Sequence, residues 1–471
     1  MNRNNIWIHA GIAVVLITLA AVLGQIGRWR EALHDRKDEA RLNVENLRSD
    51  RMQKNGSPEV LVRFKPGVTL EQIRSIAAAN NDRLDDEIES VGGLSVIDDL
   101  DNADAQTVAA QYAAMDNVAY AEPNFQIKLD DPIQKKSSEH VNLGTAPELP
   151  NDPEFGNQWA LENFGQNNGK EGADISVLKA WIKTKGSDEV VVAVLDSGVD
   201  FTHVDLKKNM WIRPENVPAY SDDELGTFND INGYNGTARQ ADPMDDNGHG
   251  THCAGIIGAE GDNGEGITGV NWKVKIMPLK FLGRGGMGTT EDAIEAINYA
   301  IDRKKHGVNV RIISASWGSN SMSRALEDTI RAAGDAGILF VAAAGNDGSD
   351  NDWRPHYPSN YDLPNVISVA ALDRSDNLAS FSNYGVKSVH IAAPGKDILS
   401  TWLNDAYREA SGTSMATPYV SGVAALIIAS QPNISMEKLR DRLMKSVDKI
   451  DALNGKVTSG GRLNAAKALG E

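Results

Sequence analysis

The chain has 471 residues, a formal net charge of −18 and a single cysteine. This length leaves room for more than one domain. The acidic balance argues against a nucleic-acid partner, which would require a basic face, and one cysteine excludes an internal disulfide framework.

An apolar run lies near the start of the chain. Almost every residue from Ala10 to Leu23 is apolar, and with the isoleucines before it the run approaches the roughly twenty residues that span a bilayer. A secretory signal is the alternative, with Arg3 as its basic region, but Val22-Leu23-Gly24 is a weak cleavage site. We therefore predict a membrane anchor over residues 1–27 and keep a signal segment as the alternative.

Residues 28–57 are charged and rich in helix formers, and they predict a solvated stem. Four basic residues follow the apolar run, namely Arg28, Arg30, Arg36 and Lys37. The positive-inside rule would keep that side in the cytoplasm, but long domains often translocate regardless of flanking charge. We therefore expect the remainder of the chain outside the cytoplasm.

Residues 58–129 alternate short strands with two helix patterns. Thr69 can cap a helix over Leu70–Asn80, and Asp104 or Asn102 can cap a second helix that ends at Met115. Strand patterns surround both helices and end in the run Asn117–Asn124. The order strand, helix, strand, strand, helix, strand predicts a small α+β (ferredoxin-like) domain. Residues 130–150 are polar, contain three prolines and lack periodicity, so they predict a linker.

From residue 151 to the C-terminus, strands and helices alternate. The predicted strands are near-continuous runs of valine, isoleucine and alanine, such as Val190–Asp196, and amphipathic helices such as Glu291–Lys305 separate them. This pattern predicts an α/β fold with a mostly parallel sheet covered by helices on both faces.

Four polar residues occur at the ends of these elements. Asp196 ends a buried strand before Ser197-Gly198, and His249 starts an apolar helix in Asp246-Asn-Gly-His-Gly-Thr-His252. Asn346 ends another strand, and Ser414 begins the long apolar helix in Ser411-Gly-Thr-Ser-Met-Ala-Thr-Pro418. A serine at a helix start has backbone N–H groups and a partial positive charge beside it, which suit an oxyanion. Aspartate, histidine and serine in this chain order form one of the known triad arrangements.

These motifs resemble those of the subtilisin-like serine proteases (subtilases), and the resemblance covers residues 151–471. It implies a serine endopeptidase in which Asp196 orients His249 and His249 activates Ser414. Asn346 and the Ser414 backbone N–H would hold the oxyanion. Residues 58–129 are similar to the inhibitor-type propeptide of this family, which implies a self-processing zymogen that inhibits itself. A plain accessory domain is the alternative.

The resemblance also implies where protein or peptide substrates bind. The segment Gly283-Arg-Gly-Gly-Met-Gly288 looks like the edge strand that pairs with an extended substrate, with Gly283, Gly286 and Gly288 allowing close backbone approach. Ser316, Trp317 and Gly318 look like the opposite wall. Trp317 replaces a residue that is often smaller, which leaves the pocket size open.

Calcium is the expected cofactor. Asp205 and the loop that contains Asn263 resemble the tight calcium site of the family, with Asp152 as a third arm. Oxygen ligands at separated positions suit Ca²⁺. A weaker second candidate is the segment Asp242–Asp246.

Two residues beside His249 have structural alternatives. We predict that His252 is a packed, hydrogen-bonded histidine and that Cys253 is a small buried hydrophobe, although a reactive thiol is the other interpretation. For the whole chain, a catalytically silent fold used for binding and a selective processing protease remain the competing hypotheses. The expected membrane contact, through residues 1–27, would end once the enzyme cuts itself near residues 130–150, leaving a product that begins near Asn151.

Overall fold

The fold is known from a computed structural model that describes residues 58–101, 103–129, 133–135, 149–222 and 226–470. The expected anchor (1–27), the stem (28–57) and most of the expected linker (130–150) lie outside these residues. We call residues 58–129 the N-terminal unit and residues 149–470 the α/β unit.

The N-terminal unit is a four-stranded antiparallel sheet with two helices, and its strands lie in the order β2-β3-β1-β4. The elements are β1 (Glu59–Phe64), α1 (Leu70–Ala79), β2 (Asp82–Glu87), β3 (Leu94–Asp99), α2 (Ala105–Ala113) and β4 (Val118–Pro123). Thr69 starts α1 with a capping box, because it exchanges hydrogen bonds with Gln72. On β1, Val60 and Val62 pack under the helices, whereas Leu61 on the other face joins the core of the α/β unit. Both faces of this small sheet are therefore buried.

The α/β unit is built on a nine-stranded sheet with the order β10-β11-β7-β13-β14-β15-β16-β20-β19, in which only the last pair is antiparallel. Its strands are β7 (Gly186–Asp196), β10 (Tyr234–Asn235), β11 (Lys273–Lys280), β13 (Val310–Ala315), β14 (Leu339–Ala343), β15 (Val366–Leu372), β16 (Ile391–Pro394), β19 (Val447–Lys449) and β20 (Gly461–Leu463). Its helices are α3 (Val177–Trp181), α4 (His249–Gly258), α5 (Thr290–Lys305), α6 (Arg324–Asp335), α7 (Thr413–Ser430), α8 (Met436–Lys445) and α9 (Ala465–Ala468).

Helices cover both faces of this sheet. Along β7, Val190, Val192 and Val194 pack into the core that contains α4 and α7. The alternate residues Val191, Ala193 and Leu195 pack into the core that contains α5 and α6. A strand buried on both faces needs apolar residues at every position, which explains the unbroken run in the sequence. The predicted fold class is confirmed.

The smaller sheets contain strands of the α/β unit and two strands that precede it in the chain, β5 (Gln126–Lys128) and β6 (Ile133–Lys135). Their other strands are β8 (Ser221–Asp222), β9 (Gly226–Thr227), β12 (Met287–Thr289), β17 (Ile398–Trp402) and β18 (Ala406–Ser411). Strand β5 pairs with β12, and β8 pairs with β9. Strand β18 lies between β17 and β6 and pairs with both. Among the described residues, one helix, α7, is long and apolar enough to cross a membrane, but 89% of it is buried inside the protein, as in a core helix.

Candidate active site

Asp196 and His249 meet at the carboxyl end of β7. Asp196 is the last residue of β7, and its Oδ1 accepts hydrogen bonds from the Ser197 N–H (2.7 Å) and from His249 Nδ1 (2.8 Å). His249 is the first residue of α4. The start of this helix packs closely on the turn after Asp196. A Cβ added to Gly250 would lie only 2.0 Å from the Gly198 carbonyl oxygen. Glycine at position 250 is therefore required for the two side chains to meet.

Ser414 lies in the first turn of α7 and is buried. Its Oγ donates a hydrogen bond to the Ser316 carbonyl (3.0 Å), and the Ser316 hydroxyl donates to the Ser414 carbonyl (2.8 Å). His249 Nε2 is buried and has no hydrogen-bond partner within the described parts of the chain. A proton transfer from Ser414 to His249 would therefore require the Ser414 hydroxyl to turn away from Ser316. Such contacts often tighten only when substrate is bound.

Asn346 and the Ser414 backbone N–H border the same space. The Asn346 Oδ1 accepts from the Thr413 backbone N–H (2.8 Å) and hydroxyl (3.1 Å), so Nδ2 is the end that can donate elsewhere. A Cβ on Gly412 would lie 3.6 Å from both Asn346 Nδ2 and the Ser414 nitrogen. Glycine at position 412 thus leaves room between two hydrogen-bond donors, as an oxyanion requires.

The protonation of His249 follows from its surroundings. Burial alone lowers the pKa of this imidazole, but the adjacent Asp196 carboxylate outweighs it, and the net pKa lies well above the usual value. The Asp196 contact thereby stabilises the imidazolium, which is the form a general base reaches after it accepts a proton.

His252 and Cys253 are placed as packed residues. His252 Nε2 contacts the Ile398 and Arg408 carbonyl oxygens (3.1 and 3.0 Å), and burial lowers its pKa to about 3, so it stays neutral. The Cys253 thiol is buried 3.6 Å from the Ser414 carbonyl, and burial raises its pKa. Both positions agree with the structural interpretation.

The glycine-rich segment contacts the tail of the N-terminal unit. Strand β5 runs antiparallel to β12, with Ile127 opposite Gly288, and the Leu129 N–H donates to the Gly286 carbonyl (2.8 Å). Gly288 lies so close to the Phe281 carbonyl that a Cβ would be 2.1 Å away. Gly283 instead closes the turn of this segment through its own hydrogen bonds to Met287 and Gly286.

Ser316, Trp317 and Gly318 were expected to form the opposite wall of the substrate cleft, and the side chains of Ser316 and Trp317 are buried. Ser316 is buried and engaged with Ser414, as described above. The Trp317 side chain is 3% exposed and packs on Phe281 with ring centroids 4.7 Å apart. Any substrate contact of Trp317 would therefore come mainly from its backbone. A Cβ on Gly318 would lie 2.0 Å from His356, so a larger residue does not fit there.

The three predicted metal ligands converge, because Asp152 and Asp205 both contact the loop that contains Asn263. Asp152 Oδ2 accepts from the Asp262 N–H (2.7 Å), while Asp205 accepts from the Asn263 side-chain amide (2.8 Å) and the Ile267 N–H (2.9 Å). Burial raises the pKa of Asp152 to about 7, with a smaller contribution from the Asp205 charge, and burial also raises the pKa of Asp205. The Tyr407 hydroxyl also donates to Asp205 (3.0 Å). Two buried carboxylates whose charges repel each other fit a divalent cation.

The second acidic segment is occupied by internal contacts. Asp245 accepts hydrogen bonds from the backbone of Asn247, Gly248 and Thr251 and from two hydroxyls. Asp246 pairs with Lys280 at 2.6 Å. Asp245 and Asp246 therefore hold the loop before His249 through contacts within the protein.

Two residues of the N-terminal unit bind helix starts of the α/β unit, and the sequence analysis did not single them out. The Glu122 carboxylate accepts from the Ser323 hydroxyl (2.5 Å) and from the Arg324 and Ala325 N–H groups at the start of α6 (2.9 and 3.1 Å). Asn124 Oδ1 accepts from the Glu291 N–H at the start of α5 (3.0 Å). In the sequence, the two residues stand out only as polar residues in the otherwise apolar run Val118–Asn124.

Comparisons with known proteins support the family that the motifs indicate. The subtilase family model matches residues 187–468, and the fervidolysin N-terminal prodomain model matches residues 57–124. A thermophilic serine proteinase from Bacillus sp. (strain AK1) is 34% identical, and the match covers 87% of each chain. Thermitase from Thermoactinomyces vulgaris is 35% identical over 68% of this chain and 99% of thermitase.

A cell wall-associated protease from Bacillus subtilis is 37% identical over 73% of this chain, but over only 33% of its own length. The crystal structure of fervidolysin from Fervidobacterium pennivorans, a keratinolytic enzyme related to subtilisin, superposes with a TM-score of 0.68. It shares 24% identity and is covered over 61% of its length, so this likeness concerns the fold. From its motifs, fold and relatives, the chain belongs to the subtilase family and is a serine endopeptidase with an N-terminal prodomain.

Proposed function

We propose that Asp196, His249 and Ser414 form the catalytic triad, that Asn346 completes the oxyanion hole, and that the enzyme is made as a self-processing zymogen. The observation that carries this proposal is the pairing of β5 with β12 while the Asp196–His249 hydrogen bond is in place. We refer to the N-terminal unit as the prodomain and to the α/β unit as the catalytic domain. The tail of the prodomain occupies an edge strand while the Asp196–His249 pair is formed, as a bound peptide would.

In this mechanism, the Ser414 hydroxyl rotates from the Ser316 carbonyl and gives its proton to His249 Nε2 as Oγ attacks the peptide carbonyl. Asp196 holds Nδ1 and stabilises the charged ring. The oxyanion accepts hydrogen bonds from Asn346 Nδ2 and the Ser414 N–H. His249 then protonates the leaving amine, and water hydrolyses the acyl-enzyme by the same route in reverse.

The substrate class follows from the edge strand. Pairing through backbone groups with Gly286 and Gly288 recognises an extended main chain first and side chains second. We therefore propose protein and peptide substrates with broad side-chain preference. Cleavage of a random peptide mixture would test this, because strong selection at one position would favour a processing protease.

Labelling with a fluorophosphonate tests the triad directly. The self-processed wild type should be labelled at Ser414, and Ser414→Ala should lose the label. His249→Ala should label far more slowly because Ser414 loses its base. Labelling of His249→Ala at the wild-type rate would refute the triad.

We also propose a structural calcium ion held by Asp152, Asp205 and the loop at Asn263. Support comes from the convergence of two buried carboxylates whose pKa values are raised by burial. The ion would join the chain at residue 152 to two surface loops, and it would supply charge neutralisation there and take no part in the peptide chemistry.

Finally, we propose that the catalytic domain acts outside the cytoplasm and that residues 1–27 tether only the unprocessed chain. Support comes from the apolar run Ala10–Leu23 in the sequence. Fractionation of Ser414→Ala and wild-type cells tests it: the variant should stay with membranes while the wild-type product is released.

A further inference from the structure

A buried acidic cluster lies between the prodomain and the catalytic domain. It consists of Asp86 on β2, Asp222 on β8 and Glu295 on α5, and one carboxylate oxygen from each lies within 4.8 Å of the others. All three side chains are buried. The prodomain and the catalytic domain both contribute, so the cluster exists only while they are joined.

Three carboxylate oxygens of this cluster, on Glu295 and Asp86, lack a hydrogen-bond donor within the described residues. Glu295 is 1% exposed, and neither of its carboxylate oxygens has a hydrogen-bond partner within the described residues. Asp86 is fully buried, and its Oδ2 is likewise without a partner in that part of the chain. Buried polar atoms are almost always satisfied, so two such carboxylates facing one another indicate a missing ligand.

Arg239 lies near the cluster but forms ion pairs with other carboxylates. Arg239 contacts Asp85 at 2.7 Å and Glu291 at 2.5 Å. Burial and, to a smaller extent, the Asp222 charge raise the pKa of Asp86 to about 8, although the Arg239 charge opposes this shift. Burial likewise raises the pKa of Glu295 well above its usual value. Arg239 is thus paired with two carboxylates that are not members of the cluster.

We propose that Asp86, Asp222 and Glu295 bind a calcium ion that joins the prodomain to the catalytic domain. Calcium–oxygen distances of about 2.3–2.6 Å place oxygens on opposite sides of the ion about 4.6–5.2 Å apart, which accommodates the spacing within this cluster. Carboxylate oxygen ligands favour hard cations over zinc or copper.

This ion would couple calcium concentration to release of the prodomain. A cation that binds only the joined form stabilises it by mass action and leaves when the prodomain leaves. That consequence rests on the proposed inhibitory role of the prodomain, whereas the binding of the ion does not.

Counting bound calcium on the full-length Ser414→Ala chain tests the site, because this variant should keep its prodomain attached. Equilibrium dialysis with radioactive calcium should show one ion fewer per chain for Ser414→Ala/Asp86→Asn than for Ser414→Ala. The matched control Asp116→Asn, at an exposed aspartate of the prodomain, should bind the same number as the parent. Asp205→Asn should lose a different ion, so the two sites are counted separately.

An equal count for the parent and Asp86→Asn would overturn the proposal and would mean that the cluster is neutralised by protons. If Asp86→Asn and Glu295→Gln both lose the native circular dichroism spectrum, crystals of the parent grown with Tb³⁺ test the site by anomalous diffraction. An anomalous peak between Asp86 and Glu295 supports the site, and its absence at full occupancy elsewhere refutes it. Neither measurement uses peptidase activity, so failure of the proposed mechanism would be seen separately.

Discussion

The Thr413 backbone N–H donates a 2.8 Å hydrogen bond to the Asn346 side-chain oxygen. This contact decides which end of the amide can donate. It also joins the loop after β14 to the first turn of α7, where Ser414 lies. The nucleophile and the proposed oxyanion donor are therefore positioned by the same short segment. Preorganised donors of this kind cost no reorganisation during the reaction.

We expect Asn346→Ala to lower kcat by about 10² to 10³ and leave KM nearly unchanged, because its hydrogen bond strengthens only in the transition state. Ser414→Ala should lower kcat by roughly 10⁶. Steady-state kinetics on a peptide substrate measures both, with the exposed Asn433→Ala as a control. A raised KM at constant kcat for Asn346→Ala would contradict the oxyanion role.

Activity should rise with pH as His249 loses its proton, because only the neutral imidazole can accept one from Ser414. The Asp196 carboxylate raises the pKa of His249, so the midpoint of kcat/KM should lie above the ordinary histidine value of about 6.5. Asp196→Asn should move the midpoint down and reduce kcat. A pH profile of kcat/KM for both proteins provides the check, and a wild-type midpoint below that of Asp196→Asn would count against this account.

Removing calcium should destabilise the mature enzyme more than it inhibits it in the cold. At a thousandfold excess over Kd, a bound ion contributes about 4 kcal/mol, which corresponds to a shift in Tm on the order of 10 °C. Calorimetry with and without EGTA measures this shift. Asp205→Asn should abolish most of it, whereas the exposed Asp441→Asn should not. No shift in wild type would remove the proposed site at Asp152 and Asp205.

Glu122→Ala should weaken inhibition by the prodomain up to about thirtyfold, because a buried carboxylate at a helix start contributes up to about 2 kcal/mol. The full-length protein should then show a shorter lag before peptidase activity appears. Asp116→Ala removes an exposed carboxylate from the same domain and should keep the wild-type lag. Equal lags for Glu122→Ala and wild type would show that this contact does not hold the prodomain.

Wild type should cut itself between Leu129, which contacts the edge strand, and Asn151. Exposed, unpacked segments are where nicking concentrates. Ser414→Ala should instead accumulate at the full mass of 50.8 kDa. N-terminal sequencing of both proteins, purified without other proteases, identifies the cut. Trimming of the variant at the wild-type position would mean that another enzyme performs the processing.

The sequence predicted the parallel sheet well because β7 needs apolar residues on both faces, and such runs are easily recognised. Strand β2 is the opposite case. Its sequence Asp82–Glu87 is almost entirely charged, and it forms a strand because it pairs with β3. Local propensity carries no information about such a partner.

The same limit applies to the candidate site. The motif residues Asp196, His249, Asn346 and Ser414 were all identified from their positions at element ends, and the structure brings them to one edge of the sheet. Glu122 and the Asp86 cluster were not identified, because their chemistry depends on contacts between segments far apart in sequence. Asp86 and Glu295, for example, are over 200 residues apart.

The helices that meet the prodomain begin with caps of their own. Thr289 accepts from the Asp292 N–H at the start of α5, and Ser323 accepts from the Leu326 N–H at the start of α6. Asn124 and Glu122 add to these caps without replacing them. Loss of the prodomain therefore leaves both helix starts intact. Prodomain contacts can speed the assembly of the catalytic domain, whereas the lifetime of the mature enzyme depends on its own barrier to unfolding.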